Sequence, residues 1–228
     1  MVPDMIKTDM KIDWEWVKES LFKSERVVPG APDAVLDGAD EAIGRAVKLA
    51  APKALVVKEA VKPSGAGSIK LACGAEFSGG SVSAYIKGAT EAYIFLVTIG
   101  SALEDEASAL MKAGESLSGY LLDRAGSFAV ESLAETLESR LRKEYRSKSK
   151  SVSMRLSPGY CDWPVEEQVK LDKILDFSGI GVRLTESCMM APRKSISGLI
   201  GIGPKELFSK TVSQCRICNM KDCDYRRV

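Results

Sequence analysis

The 228-residue chain contains no histidine. Imidazole is the usual general base and a common metal ligand, so Ser-His-Asp and Cys-His catalysis, zincin helices, Cys₂His₂ fingers and two-His-one-carboxylate iron sites are all excluded. An excess of either charge is also missing: 32 Lys and Arg stand against 31 Asp and Glu, a net charge of +1, which gives no electrostatic ground for a nucleic-acid or membrane-surface partner. No uncharged apolar run approaches the roughly 18 residues of a membrane span. The N-terminus carries acids early and lacks the apolar core of a signal peptide, so a soluble, cytoplasmic protein is expected. Six cysteines are too few for a secreted disulfide scaffold, and three of them fall in the last 14 residues. With 45% hydrophobic and 28% charged residues, what is present is the balance of a globular domain with a real core.

Apolar periodicity sets the order of elements. Trp14, Trp16, Val17, Leu21 and Phe22 recur at helical spacing before the Pro29-Gly30-Ala31-Pro32 break, and Val35, Ala39, Ile43, Ala46, Val47 and Ala50 mark a helix opened by Asp33 and closed before Pro52. Ala54–Val57 and Ile69–Cys73 read as paired strands around the Pro63–Gly67 loop, and Ser81–Lys87 as one or two helical turns. Tyr93-Ile94-Phe95-Leu96-Val97, apolar, aromatic and β-branched, predicts a central buried strand. One helix, then a long one, follows Gly100-Ser101; strands are expected over Ser151–Leu156, Val182–Thr185 and Ser195–Ile202, with a helix over Pro164–Phe177. The irregular order, without steady β-α-β alternation, favours an α+β domain with a mixed, largely antiparallel twisted sheet and flanking helices.

Several local patterns bear on chemistry. Gly65-Ala66-Gly67 and Gly201-Ile202-Gly203 lack the remaining glycines of a dinucleotide or P-loop fingerprint. From Arg140 to Arg155 there are seven basic residues and one acid, Glu144, which reads as a solvated helix end or as a docking patch for an acidic protein surface. Arg155-Leu156-Ser157-Pro158-Gly159-Tyr160 ends a strand in a turn with exposed backbone groups; an Arg there can grip a carboxylate and a Tyr can cover a flat ring. Thr185-Glu186-Ser187 reads as turn chemistry and Cys188-Met189-Met190 as soft core packing. Cys215, Cys218 and Cys223 form C-x₂-C-x₄-C, a set of soft ligands that suits zinc or an iron–sulfur cluster given a fourth ligand from elsewhere; a terminus of reduced thiols is the other reading.

The Arg155–Tyr160 turn, followed by a Pro-led acidic helix and then Leu184-Thr185-Glu186-Ser187-Cys188-Met189-Met190-Ala191-Pro192 through Gly198, resembles the C-terminal reactivation domain of cobalamin-dependent methionine synthase. Leu133 through Tyr145 is similar to the long helix that leads into that motif, and the resemblance runs over about residues 90–203. It implies a methionine synthase activation domain-like fold at residues 1–205; the Cys-rich tail at 206–228 departs from the family. It also implies binding of S-adenosylmethionine (AdoMet), with Arg155 on its carboxylate and Ser157, Gly159 and Tyr160 lying against it, largely through the backbone. The expected role is an accessory subunit, not a complete enzyme. It would present AdoMet for reductive methylation of inactive cob(II)alamin on a cobalamin-binding methionine synthase subunit, with a flavodoxin-like electron donor. A chain without histidine cannot hold a histidine-ligated corrin, and 228 residues leave no room for the other modules, so action in trans is expected. The alternative is a metal- or iron–sulfur-containing redox activator of another corrinoid methyltransferase.

Overall fold

The computed structural model describes residues 6–7, 10–24 and 33–208. Helices α1 (Trp14–Ser24) and α2 (Asp33–Leu49) precede strands β2 (Lys53–Lys62), β3 (Ser68–Leu71) and β4 (Glu76–Ser78); a two-residue strand β1 (Ile6–Lys7) comes first. Then follow α3 (Gly80–Tyr85), β5 (Glu91–Thr98), α4 (Ala102–Lys112), the 31-residue α5 (Ser116–Arg146), β6 (Lys150–Leu156) and α6 (Gln168–Leu175). A short hairpin of β7 (Arg183–Leu184) and β8 (Met190–Ala191) leads to β9 (Ser195–Pro204).

The sheet runs β4-β3-β2-β5-β9-β6, with β1 beside β2, and every pairing is antiparallel. The α+β architecture expected from the order of elements is the one observed. Seven of the eight residues of β5 are buried, as its aromatic and β-branched run required, because both faces of the sheet are covered. Tyr93, Phe95 and Val97 face α1, α2, α4 and α5, whereas Ile94 and Leu96 face α3, α6 and the Trp163 segment. The strict alternation of a strand thus feeds two cores from one run.

Strand β6 departs from that alternation. Val152 pairs with Ile202 and Arg155 with Ile200, so Ser153 and Met154 together oppose Gly201 in a β-bulge. The Ser153 hydroxyl satisfies the bulge, accepting from the Gly201 N–H at 2.8 Å and donating to the Met154 carbonyl at 2.6 Å. The extra residue reverses the phase of the strand, and Arg155 therefore faces α5 like Val152 instead of the opposite core.

At the far end of the sheet, Glu91 of β5 accepts from Lys150 at 2.7 Å and pairs with Lys58 at 3.2 Å. The Lys150 hydrogen bond, with Lys58 adding to it against a desolvation penalty, holds the Glu91 carboxyl below its ordinary value. A depressed carboxyl contributes stability above its unfolded pKa and loses it as pH falls through the folded value. Glu91→Gln is therefore expected to be less stable than wild type at pH 7, with the difference closing on acidification below the ordinary carboxylate range. Urea midpoints at both pH values measure this, and a constant difference would exclude the linkage.

Candidate functional site

Arg155 leaves β6 beneath α5, where Glu131, Glu135 and Glu138 follow at helical steps. Its side chain is 19% exposed, and the guanidinium makes an ion pair with Glu131, with Glu138 at 3.6 Å. Glu138 in turn accepts from Arg142, which donates to the Val152 and Ser153 carbonyls at 2.9 and 3.2 Å and so brackets the bulge that aims Arg155. Two carboxylates close to one partly buried guanidinium give a site able to take both ends of a zwitterion: the fork can accept a carboxylate, and a glutamate an ammonium.

The site opens into a cleft of about 460 Å³ between α1 and α5, with Arg155, Glu131 and Glu135 at one end and Arg124 and Lys23 at the other. Its middle is aromatic. The rings of Trp16 and Phe128 meet edge to face at 6.2 Å, and Arg124 lies 4.9 Å over Phe128. Asp13 anchors this arrangement, since its carboxylate accepts from the Trp16 N–H at 3.0 Å at the start of α1 while its own N–H donates to Ser132 of α5 at 2.9 Å.

The turn after β6 is tightly bonded. Gly159 adopts a φ of +87° and donates to the Trp163 carbonyl at 2.8 Å, while Trp163 donates back to the Tyr160 carbonyl at 3.1 Å. Trp163, 1% exposed, sets its ring perpendicular to Phe77 at 5.7 Å and pins the turn to the second core. Ser157 is buried, whereas Tyr160 is 55% exposed. Of the residues expected from sequence, Arg155 lines the cleft, whereas Ser157, Gly159 and Tyr160 form the turn that follows it in the chain and packs on the second core, and they are not among the residues lining the cleft. Glu131, Trp16 and Phe128 had not been foreseen; the i, i+4, i+7 acids of α5 were the available signal.

One further expectation is corrected. The Thr185–Met189 segment is a turn closed by the Thr185 hydroxyl, as its residue types suggested, but Met189 at its tip is 57% exposed and is not core packing. The hairpin reverses there, and only Met190 packs against the core. Cys215, Cys218 and Cys223 lie outside the described residues; among the described residues no cluster of three or more His, Cys, Asp or Glu could hold a metal ion. Nor, among them, is any helix long and apolar enough to cross a membrane.

An antiparallel sheet covered by helices on both faces, with a cleft between α1 and the long α5, is the architecture to compare with known proteins. The crystal structure of the MetH reactivation domain bound to AdoHcy superposes with a TM-score of 0.65 at 18% identity, over 92% of this chain and 80% of that one. The chain belongs to the family of the vitamin B12 dependent methionine synthase activation domain, whose model matches residues 81–227. No curated protein sequence matches it.

Proposed function

We propose that the protein is an AdoMet-binding reactivation subunit that acts on the cobalamin of a separate partner protein. The observation that carries this reading is the Arg155 guanidinium paired with Glu131 at the mouth of an aromatic cleft, in a chain of this family. Arg155 holds the carboxylate of AdoMet and Glu131 its ammonium, while the Ser157–Tyr160 turn lies against the rest of the ligand. The methyl group passes to the partner's cobalt once a flavodoxin-like donor has supplied one electron, leaving S-adenosylhomocysteine. The chain's own contribution is positioning and exclusion of water, since the nucleophile belongs to the partner.

Calorimetric titration tests the reading. AdoMet should bind saturably to the protein alone, and adenosine, which lacks the amino-acid end, should bind at least about tenfold more weakly, a loss of about 1.4 kcal/mol. Equal affinities, or no binding of AdoMet, would overturn it.

A further inference from the structure

The basic run from Arg140 to Arg155 divides on folding. Arg142 and Arg155 turn inward to Glu138 and Glu131, and Lys148 and Lys150 pair with Glu144 and Glu91. Arg140, Lys143 and Arg146 remain exposed and make no ion pair among the described residues. Beside them, Lys148 and Lys150 lie 4.8 and 5.8 Å over the ring of buried Tyr145, and Lys58 reaches in from β2 to the same Glu91. Lys58, Lys143, Arg146, Lys148 and Lys150 against Glu91 and Glu144 leave three positive charges in excess, five minus two. The dipole of α5 favours Lys143 and Arg146 in its last turn, but Lys58, Lys148 and Lys150 lie outside the helix.

We infer that this surface, centred on Lys143 and Arg146, docks a carboxylate-rich rim of the protein that brings cobalamin to the cleft. The inference rests on the function proposed above, because direct methyl transfer requires the acceptor's carrier to lie over the cleft. Glu131, Glu135, Glu138, Arg142 and Arg146 follow one another along α5 at three- and four-residue steps, so the cleft and the Arg146 side of the patch share one edge of the helix. Glu135 and Arg146 are about 16 Å apart along its axis at about 1.5 Å per residue. A standard interface covers about 800 Å² on each partner, enough to span both. A protein is favoured over nucleic acid or a lipid surface because Glu91 and Glu144 are interleaved with the cations, the whole chain carries a net charge of only +1, and the apolar face of α5 is already buried.

The test uses the full chain and the cobalamin-loaded binding domain of a methionine synthase as probe, titrated at low and at physiological salt. The pair Lys143→Glu and Arg146→Glu is compared with Lys112→Glu and Lys173→Glu, which change net charge equally at exposed sites on α4 and α6. The first pair should weaken docking at least about tenfold at low salt and flatten its salt dependence, with AdoMet affinity unchanged and the melting temperature lowered only as far as the loss of two cations from the last turn of α5 requires. Equal effects of the two pairs, no docking by wild type, or docking only of duplex DNA or anionic vesicles would overturn the inference. Loss of AdoMet binding by wild type with docking still sensitive to Lys143 and Arg146 would instead strike the proposed AdoMet role and leave the docking surface standing.

Discussion

Gly198→Ala is expected to destabilise the protein by about 3 kcal/mol or more, at the upper end of what overpacking costs. A Cβ at this position would stand 2.0 Å from the Leu156 carbonyl oxygen and 3.0 Å from its carbon. Both obstacles are backbone, so no rotamer change relieves them. The crowding has a topological origin: β6 pairs with β9 as far as Leu156 and Leu199, and the chain then leaves the sheet across the face of Gly198 to begin the Ser157–Trp163 turn. A side chain there must either push β6 out of register or lift the turn, and each displaces Arg155 or its neighbours. Urea unfolding measures the loss, and a shift below about 1 kcal/mol would mean that strand and turn give way more easily than their bonding implies.

Arg155→Ala should weaken AdoMet binding about ten- to a hundredfold, the equivalent of about 1.5–3 kcal/mol for a charge-assisted contact. The variant also leaves Glu131 facing the cleft without its cation, whereas Glu138 keeps Arg142. Arg155→Lys keeps the charge but loses the planar fork that can serve a ligand carboxylate and a glutamate together, and should fall between wild type and Ala. Calorimetry on the three proteins separates these contributions. Affinity indifferent to all of them would move the ligand's carboxylate away from this residue.

Much of the fold was readable because its elements are long or strongly patterned. The Tyr93–Val97 run could be assigned as central from residue type alone, since a strand covered on both faces shows no polar phase. Strand β4, three residues long, carries too little pattern to be seen, and the separate helical turn at Val165–Glu167 merges in sequence with α6. The site was legible only in part. Arg155 stood out because its turn is distinctive, but Glu131 lies 24 residues upstream and became a neighbour only through the packing of α5 on β6. Plain alternation along β6 would have turned Arg155 to the wrong core; the bulge that corrects this depends on the Ser153 hydroxyl, an unremarkable residue in a strand of mixed character. The aromatic middle of the cleft required Trp16 and Phe128, more than a hundred residues apart, to meet, a contact to which neither helix points on its own.

The placement of the tryptophans gives the molecule an optical division of labour. Of the three tryptophans, Trp163 is sealed in the second core beneath the Gly159 turn, Trp16 lines the cleft in contact with Phe128, and Trp14 is half-buried against the first core. In a Trp14→Phe variant only the first two indoles remain. Emission from the first is shielded from aqueous quenchers and follows the integrity of the turn, while emission from the second is open to whatever occupies the cleft. Collisional quenching of that variant by iodide or acrylamide thus distinguishes an occupied cleft from a loosened turn without an added label.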